Sequence, residues 1–266
     1  MRIIFSKDRP AQLDLLLTSL ERNAQPEETV VIAHASIHPT WRNFYGGAYE
    51  MLFDEHTASF FFGNADVFER DTRALLADAG DFVSFFCDDD VLFAPLGGFW
   101  DVIVTDPEIL TFSFRLGGNT TYCYPSGFEQ ASQGQVWSWL GAGGDWSYAG
   151  SLDGHIFRTA DVRHMLRGRP FRNPTELEDQ LMAGCLEMSA ERPLMACYPR
   201  SVLCSVPVNR VSEQSQVRAG ERFPVSAEAL NERFLAGWRL SLEALDFSAV
   251  DSAHFEVDLE AAWRKS

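Results

Sequence analysis

The chain is short of positive charge. It has 22 Lys and Arg against 38 Asp and Glu, a formal charge of −16, and its densest basic stretch is the brief RHMLRGR at residues 163–169. Binding to DNA or RNA without sequence preference rests on Lys and Arg neutralising phosphates, so this balance argues against a nucleic-acid partner. An acidic protein can still take a phosphate-bearing ligand when a metal ion supplies the positive charge. Paired cysteines are missing as well: Cys87, Cys123, Cys185, Cys197 and Cys204 are odd in number and form no CxxC. They read as small hydrophobes in a reduced compartment. The six histidines show no compact zinc spacing. No run reaches the roughly 18 to 20 apolar residues of a membrane span, and the opening MRIIFSKDRP has no secretory hydrophobic stretch. The expected location is cytoplasmic, either free or peripheral to a membrane. Internal repeats and low-complexity linkers are also absent. What the chain does have is 46% hydrophobic and 13% aromatic residues over 266 positions, enough for the core of one large domain or a domain with a small appendage.

Strand and helix patterns alternate through the first part of the chain. Met1 to Ser6 reads as a strand, Pro10 fits a first helical turn, and Leu13, Leu16, Leu17 and Leu20 recur at helical spacing. TVVIAHAS (29–36) and ASFFFG (58–63) read as strands, residues 41–53 and 67–79 as helices, and DFVSFF (81–86) as a fourth strand. This alternation indicates βα units, an α/β fold with a largely parallel sheet. Further on, ILTFSFRL (109–116) alternates like a half-exposed strand, and GGNTTYCYPSG reads as a loop or short hairpin. A segment dense in glycine and tryptophan follows. Asn173, Pro174 and Glu176 mark a helix start, with Leu177, Leu181 and Cys185 on its buried face. Residues 223–245 carry a helical pattern, and residues 246–266 read as a helix or a weakly ordered extension.

The stretch DFVSFFCDDDVLF places three aspartates directly behind a buried strand. In an open α/β sheet, ligands bind at the carboxyl ends of the strands, where the loops diverge. If the chain stays extended there, Asp88 and Asp90 point one way and Asp89 the other. Two carboxylates on one side can share Mg or Mn, hard ions that favour oxygen ligands and keep positions for phosphates. The plainer alternative is a solvated turn that ends the strand.

With these motifs the chain resembles nucleotide-sugar-dependent glycosyltransferases of the GT-A fold, near the family-2-like group, over roughly residues 1 to 210. The resemblance implies a Rossmann-like mixed, mostly parallel central sheet flanked by helices, with residues 211–266 as a helical extension packed on or near it. It implies that Asp88 and Asp90 form an Asp-x-Asp motif holding Mn or Mg against the donor diphosphate. It further implies nucleotide-sugar contacts from Ser6, Lys7, Arg9 and Asp89. The acidic residue that relatives often place after the second strand is replaced here by AHAS (33–36), leaving Asn64 or Asp66 to read the base or ribose. Arg210 is the candidate to fold over the diphosphate. On the acceptor side, the Glu178–Asp179 pair matches the family's Glu-Asp, with Asp179 as general base and Glu178 its neighbour or substitute. Ordinary acidic enrichment near a helix start is the plainer explanation of that pair. Trp146 and Tyr148 could stack on a sugar and Asp153 could bond a hydroxyl, although each could equally be structural.

The expected activity is therefore metal-dependent transfer of a sugar from a nucleoside-diphosphate donor to a hydroxyl of a carbohydrate or glycolipid acceptor, with inversion. Two alternatives stand beside it: a noncatalytic carbohydrate-binding or glycan-assembly protein on the same fold, and a GT-A-fold nucleotidyltransferase.

Overall fold

In the computed structural model, residues 1–34, 39–62, 66–211 and 218–265 are described. β1 (Arg2–Lys7) leads into α1 (Pro10–Asn23), where Pro10 occupies the first turn and Leu13, Leu16, Leu17 and Leu20 are buried. Proline's fixed φ suits that position, and the leucine spacing gives the helix one apolar face. β2 (Thr29–His34), α2 (Pro39–Glu55), β3 (Ser59–Phe62), α3 (Phe68–Asp78) and β4 (Phe82–Cys87) continue the alternation. β1 runs parallel to β2 and β4, and β2 parallel to β3. The carboxyl ends of these four strands therefore share one edge.

β5 (Asp90–Leu92), α4 (Val102–Thr105), β6 (Ile109–Ser113), a small hairpin of β7 (Tyr122–Cys123) and β8 (Phe128–Glu129), and β9 (Val136–Ser138) come next. They are followed by β10 (His155–Arg158), α5 (Thr159–Met165), α6 (Pro174–Met188), β11 (Leu194–Cys197) and β12 (Leu203–Ser205). The central sheet has the order β3-β2-β1-β4-β10-β6-β11-β9. β10 is antiparallel to both β4 and β6, while β11 is parallel to β6. Alternate residues enter different cores: Ile4 and Phe86 pack on one side of the sheet, Ile3, Phe5 and Phe85 on the other. With both faces covered, β6 is buried at every position, which corrects the half-exposed strand expected from its alternation.

α6 starts as its sequence signals. The Asn173 side chain accepts from Glu176 N at 2.9 Å, and Leu177, Leu181 and Cys185 are buried. The Glu176 carboxylate accepts from Arg172 N at 2.9 Å, one residue before the cap.

The C-terminal segment is less helical than its pattern suggests. α7 (Ala227–Leu235) closes at Gly237, whose φ of 83° is a left-handed conformation suited to glycine, and β13 (Trp238–Leu240) pairs with β14 (Trp263–Lys265). Residues read as a weakly ordered tail are packed: Val250, Val257, Leu259 and Ala262 join Leu13, Leu16, Leu230 and Phe234 in one apolar core. Irregularly spaced apolar residues filling such a core leave no periodic trace in the sequence.

Phe234 is completely buried there. Phe234→Ala is expected to lower unfolding free energy in urea by about 3–5 kcal/mol within a single transition. A loss below about 1 kcal/mol would mean that this segment is not part of the cooperative core.

Candidate functional site

The parallel strands deliver their side chains to a tightly held edge. At the end of β1 the backbone turns through Asp8, whose φ of 55° is a left-handed conformation that Asp tolerates better than most residues. Arg9 follows, immediately ahead of α1. Beyond β4 the chain does not remain extended: Asp88 and Asp89 form a turn, and Asp90 folds back so that its Oδ2 accepts from Cys87 N at 3.0 Å. The triplet is thus a turn, but one lying inside the protein, with Asp88 4% and Asp90 0% exposed.

Each aspartate has its own partners. Asp88 accepts from Ser6 Oγ at 2.9 Å, Lys7 N at 2.8 Å and Arg9 Nη1 at 3.0 Å. Asp89 Oδ2 lies 3.1 Å from the same Arg9 nitrogen. The Arg9 guanidinium also donates to Asn209 Oδ1 at 2.8 Å and Asn209 O at 2.6 Å. Burial opposes the Arg9 charge, but Asp89 and Asp88 outweigh it and raise its pKa. Asp90 Oδ1 accepts from Ser205 Oγ at 2.7 Å. Burial, then Asp153 and Asp89, push its carboxyl well above the usual range. Asp89 is pushed up to about 6, by burial first, with Arg9 opposing and Asp88 and Asp153 adding.

A second group faces this turn. Glu178, in the second turn of α6, accepts through Oε1 from Leu152 N at 3.0 Å and from Ser151 Oγ at 3.3 Å. Arg115, just past β6, donates to Asp153 Oδ2 at 3.1 Å and to Ser151 Oγ at 2.8 Å. Asp153 is held by the turn before β10, where Gly154 has φ 63° and an added Cβ would stand 2.8 Å from the Leu203 side chain. Burial, then Asp153, raise Glu178 to about 7, against the Leu152 N–H and Arg115. Burial first, and then the nearby Glu178 carboxylate, raise the pKa of Tyr148. His254 lies within the field of Arg115 and Asp153, and burial and Arg115 push its imidazole down to about 4.

The structure sorts the residues singled out from the sequence. Ser6, Arg9, Asp88, Asp89 and Asp90 meet at one edge, and Asp153, Tyr148 and Glu178 meet beside it. Lys7 turns its Nζ to Val211 O at 3.1 Å, and Arg210 is exposed. Asp66 lies in an exposed turn before α3, while Asn64 and the Ala35–Ser36 part of AHAS lie outside the described residues. Asp179 is exposed, while its neighbour Glu178 takes the inward position on α6, since adjacent helical residues diverge by about 100°. Two expectations need correction. Trp146 is 0% exposed, with Nε1 donating to Thr120 O at 3.1 Å and its ring edge-on to Trp137, so no face is open to a sugar. Asp88 and Asp90 do not share a side: the turn sends Asp88 to β1 and Asp90 to β12.

As the side chains stand, the pair does not fit a shared divalent ion. The cation between Asp88 and Asp89 is a guanidinium, and among the described residues no group of three or more His, Cys, Asp or Glu is arranged to hold a metal. Arg115, Ser151, Ser205, Asn209 and His254 carried no sequence signal, each being a lone polar residue in an otherwise ordinary stretch.

No protein-family model and no curated protein matches the chain. Among solved structures it is similar to S. aureus TarS at 20% identity and TM-score 0.44, covering 74% of this chain and 34% of that one. It is similar to TarS 1-349 in complex with UDP-GlcNAc at 14% identity and TM-score 0.48, covering 81% of this chain and 61% of that one. The WbbM bifunctional glycosyltransferase follows at 13% identity and TM-score 0.31, covering 74% of this chain and 45% of that one. The chain thus spans about a third to three fifths of the length of these structures. Its functional reading rests on its own geometry.

Arg9→Met is expected to destabilise the protein by about 3–5 kcal/mol, since it strands two buried carboxylates. Combining it with Asp88→Asn should recover part of that loss in a double-mutant cycle read by thermal or urea unfolding. Strict additivity would show that the Arg9–Asp88 contact carries no coupling.

Proposed function

We propose that the chain is a glycosyltransferase that moves a sugar from a nucleoside-diphosphate donor to a hydroxyl of a carbohydrate or glycolipid acceptor. One observation carries the reading. The Asp88–Asp90 turn sits at the carboxyl edge of parallel strands, and Asp153 acts electrostatically on Asp89, Asp90 and Glu178 alike, so the aspartate turn and the Glu178 carboxylate lie within the field of one side chain.

In this mechanism Glu178, not Asp179, is the general base. It takes the proton as the acceptor O–H bond breaks, and the freed oxygen electron pair forms the new bond to the anomeric carbon. The bond from that carbon to the diphosphate oxygen breaks at the same time, and the nucleoside diphosphate leaves with the electron pair. Attack opposite the leaving group inverts the anomeric centre. Raising a carboxyl toward neutrality suits it to this task, because a base works best with a pKa near the working pH. Asp89, the least enclosed of the three aspartates, and Arg9 border the diphosphate position, and Tyr148 and Asp153 border the acceptor.

The test is nucleoside-diphosphate release from a panel of UDP-, GDP-, CDP- and dTDP-sugars between about pH 5 and pH 9. The rate should rise through an ionisation near 7, since the carboxylate form is the active one. Glu178→Gln should lower it by about 10²- to 10⁴-fold and remove that limb, while Asp179→Asn stays within about twofold. The reverse pattern would return the base to Asp179. Stability carries the opposite sign: a folded-state pKa of about 7 against an ordinary value of 4.5 means Glu178 favours the fold most at low pH. That contribution is lost as pH rises through this window, so Glu178→Gln should gain in relative melting temperature toward pH 8.

A further inference from the structure

Arg115 is a buried cation to which the proposed chemistry gives no task. Its side chain is 4% exposed, and burial works against its charge while Asp153, Asp145, Glu178 and Asp90 together hold it protonated. Both terminal nitrogens face the protein: Nη1 donates to Asp153 Oδ2 at 3.1 Å and Nη2 to Ser151 Oγ at 2.8 Å. Nε is buried with no hydrogen-bond partner among the described residues. A guanidinium committed in this way is poorly placed to hold a substrate and well placed to hold its neighbours.

Ser151 shows what is being held. A serine hydroxyl has one hydrogen to donate and two lone pairs to accept with. Its oxygen receives Arg115 Nη2–H at 2.8 Å and the Asp153 backbone N–H at 3.1 Å, which uses both lone pairs. The hydroxyl hydrogen is then left for Glu178 Oε1 at 3.3 Å, its acceptor among the described residues. Oε1 is fixed further by Leu152 N at 3.0 Å. With Oε1 receiving two donors, Oε2 is the more basic oxygen of the carboxylate. Arg115 also pairs the Asp153 carboxylate, whose charge would otherwise act on Glu178 without compensation.

We propose that Arg115 is a positioning residue for Glu178: acting through Ser151, it fixes which carboxylate oxygen takes the proton, and by pairing Asp153 it offsets the negative charge beside that carboxylate. The proposal rests on the glycosyl-transfer reading only for the role of Glu178 as base. The arrangement itself can be read without turnover. The charged and titratable groups facing Glu178 are Asp153 from the turn before β10, Arg115 from beyond β6 and Tyr148 from the segment before Ser151.

The experiment is a carboxyl carbon-13 NMR titration of glutamate-labelled protein, with the Glu178 signal assigned by Glu178→Gln. It is run on wild type, Arg115→Met, Arg115→Lys and Ser151→Ala, each with a melting curve and a pH–rate profile. Removing the cation should move the Glu178 midpoint upward by about one pH unit. The rate limb should move with it, giving about tenfold less activity below the limb and convergence with wild type well above it. Arg115→Lys should return the midpoint most of the way, whereas Ser151→Ala should move it upward by less. A folded Arg115→Met protein with an unmoved midpoint and a uniform rate loss at every pH would overturn the proposal. So would a higher donor KM with kcat unchanged, because Arg115 would then contact the donor. If Arg115→Met does not fold, unmoved midpoints in both Arg115→Lys and Ser151→Ala overturn it equally. A midpoint that moves while the rate shows no limb keeps the Arg115 arrangement and defeats Glu178 as the base.

Discussion

The site depends on a guanidinium buried among carboxylates. Arg9 bridges Asp88 and Asp89 while its other nitrogens hold Asn209, so one side chain ties the end of β1, the turn after β4 and the segment after β12 to a single point. Burying a charge is costly unless it is paired and hydrogen-bonded, and here the pairing closes in both directions: the carboxylates justify the cation and the cation justifies them. Ser6 and the Lys7 backbone complete Asp88 from β1, which makes the register of β1 on β4 a condition of the site.

Negative charge exceeds what that bridge can balance. Asp88, Asp89, Asp90, Asp153 and Glu178 lie within one another's field, directly or in chain, against Arg9 and Arg115. The excess appears as carboxyls held toward neutrality, Asp89 at about 6 and Glu178 at about 7. A group so poised can accept a proton from a hydroxyl and release it near neutral pH. The tail contributes as well: Phe255 N donates to Ser205 O at 2.8 Å, and Ser205 Oγ holds Asp90. A segment that looks peripheral in sequence therefore braces the aspartate turn.

The α/β architecture was legible because β1 to β4 and their helices obey simple periods, with Pro10 and Asn173 marking helix starts through local backbone geometry. The aspartate triplet was legible as a site because apolar runs flank it. Its geometry was not: the alternation argument requires an extended chain, and the bond from Cys87 N to Asp90 Oδ2 closes a turn instead. The choice between Glu178 and Asp179 depends on how α6 is rotated against the Ser151–Leu152 backbone, a tertiary fact that adjacent acidic letters cannot encode. Trp146 misled for a related reason, since an aromatic near a glycine-rich loop serves a core as readily as a sugar. Arg115 left no trace because its partners come from distant segments.

The central claim is that a nucleoside diphosphate binds at the Asp88–Asp90 edge. Calorimetric titration of UDP, GDP, CDP and dTDP into wild type and Asp89→Asn, each with and without Mn or Mg, tests it most directly. Asp89 is the suitable position because its side chain, 17% exposed, is the least enclosed of the three. The account predicts that at least one of these nucleotides binds wild type and that the variant, folded by circular dichroism, loses most of that affinity. If no nucleotide binds a folded protein under any of these conditions, or if Asp89→Asn binds as wild type does, the donor site is not at this edge.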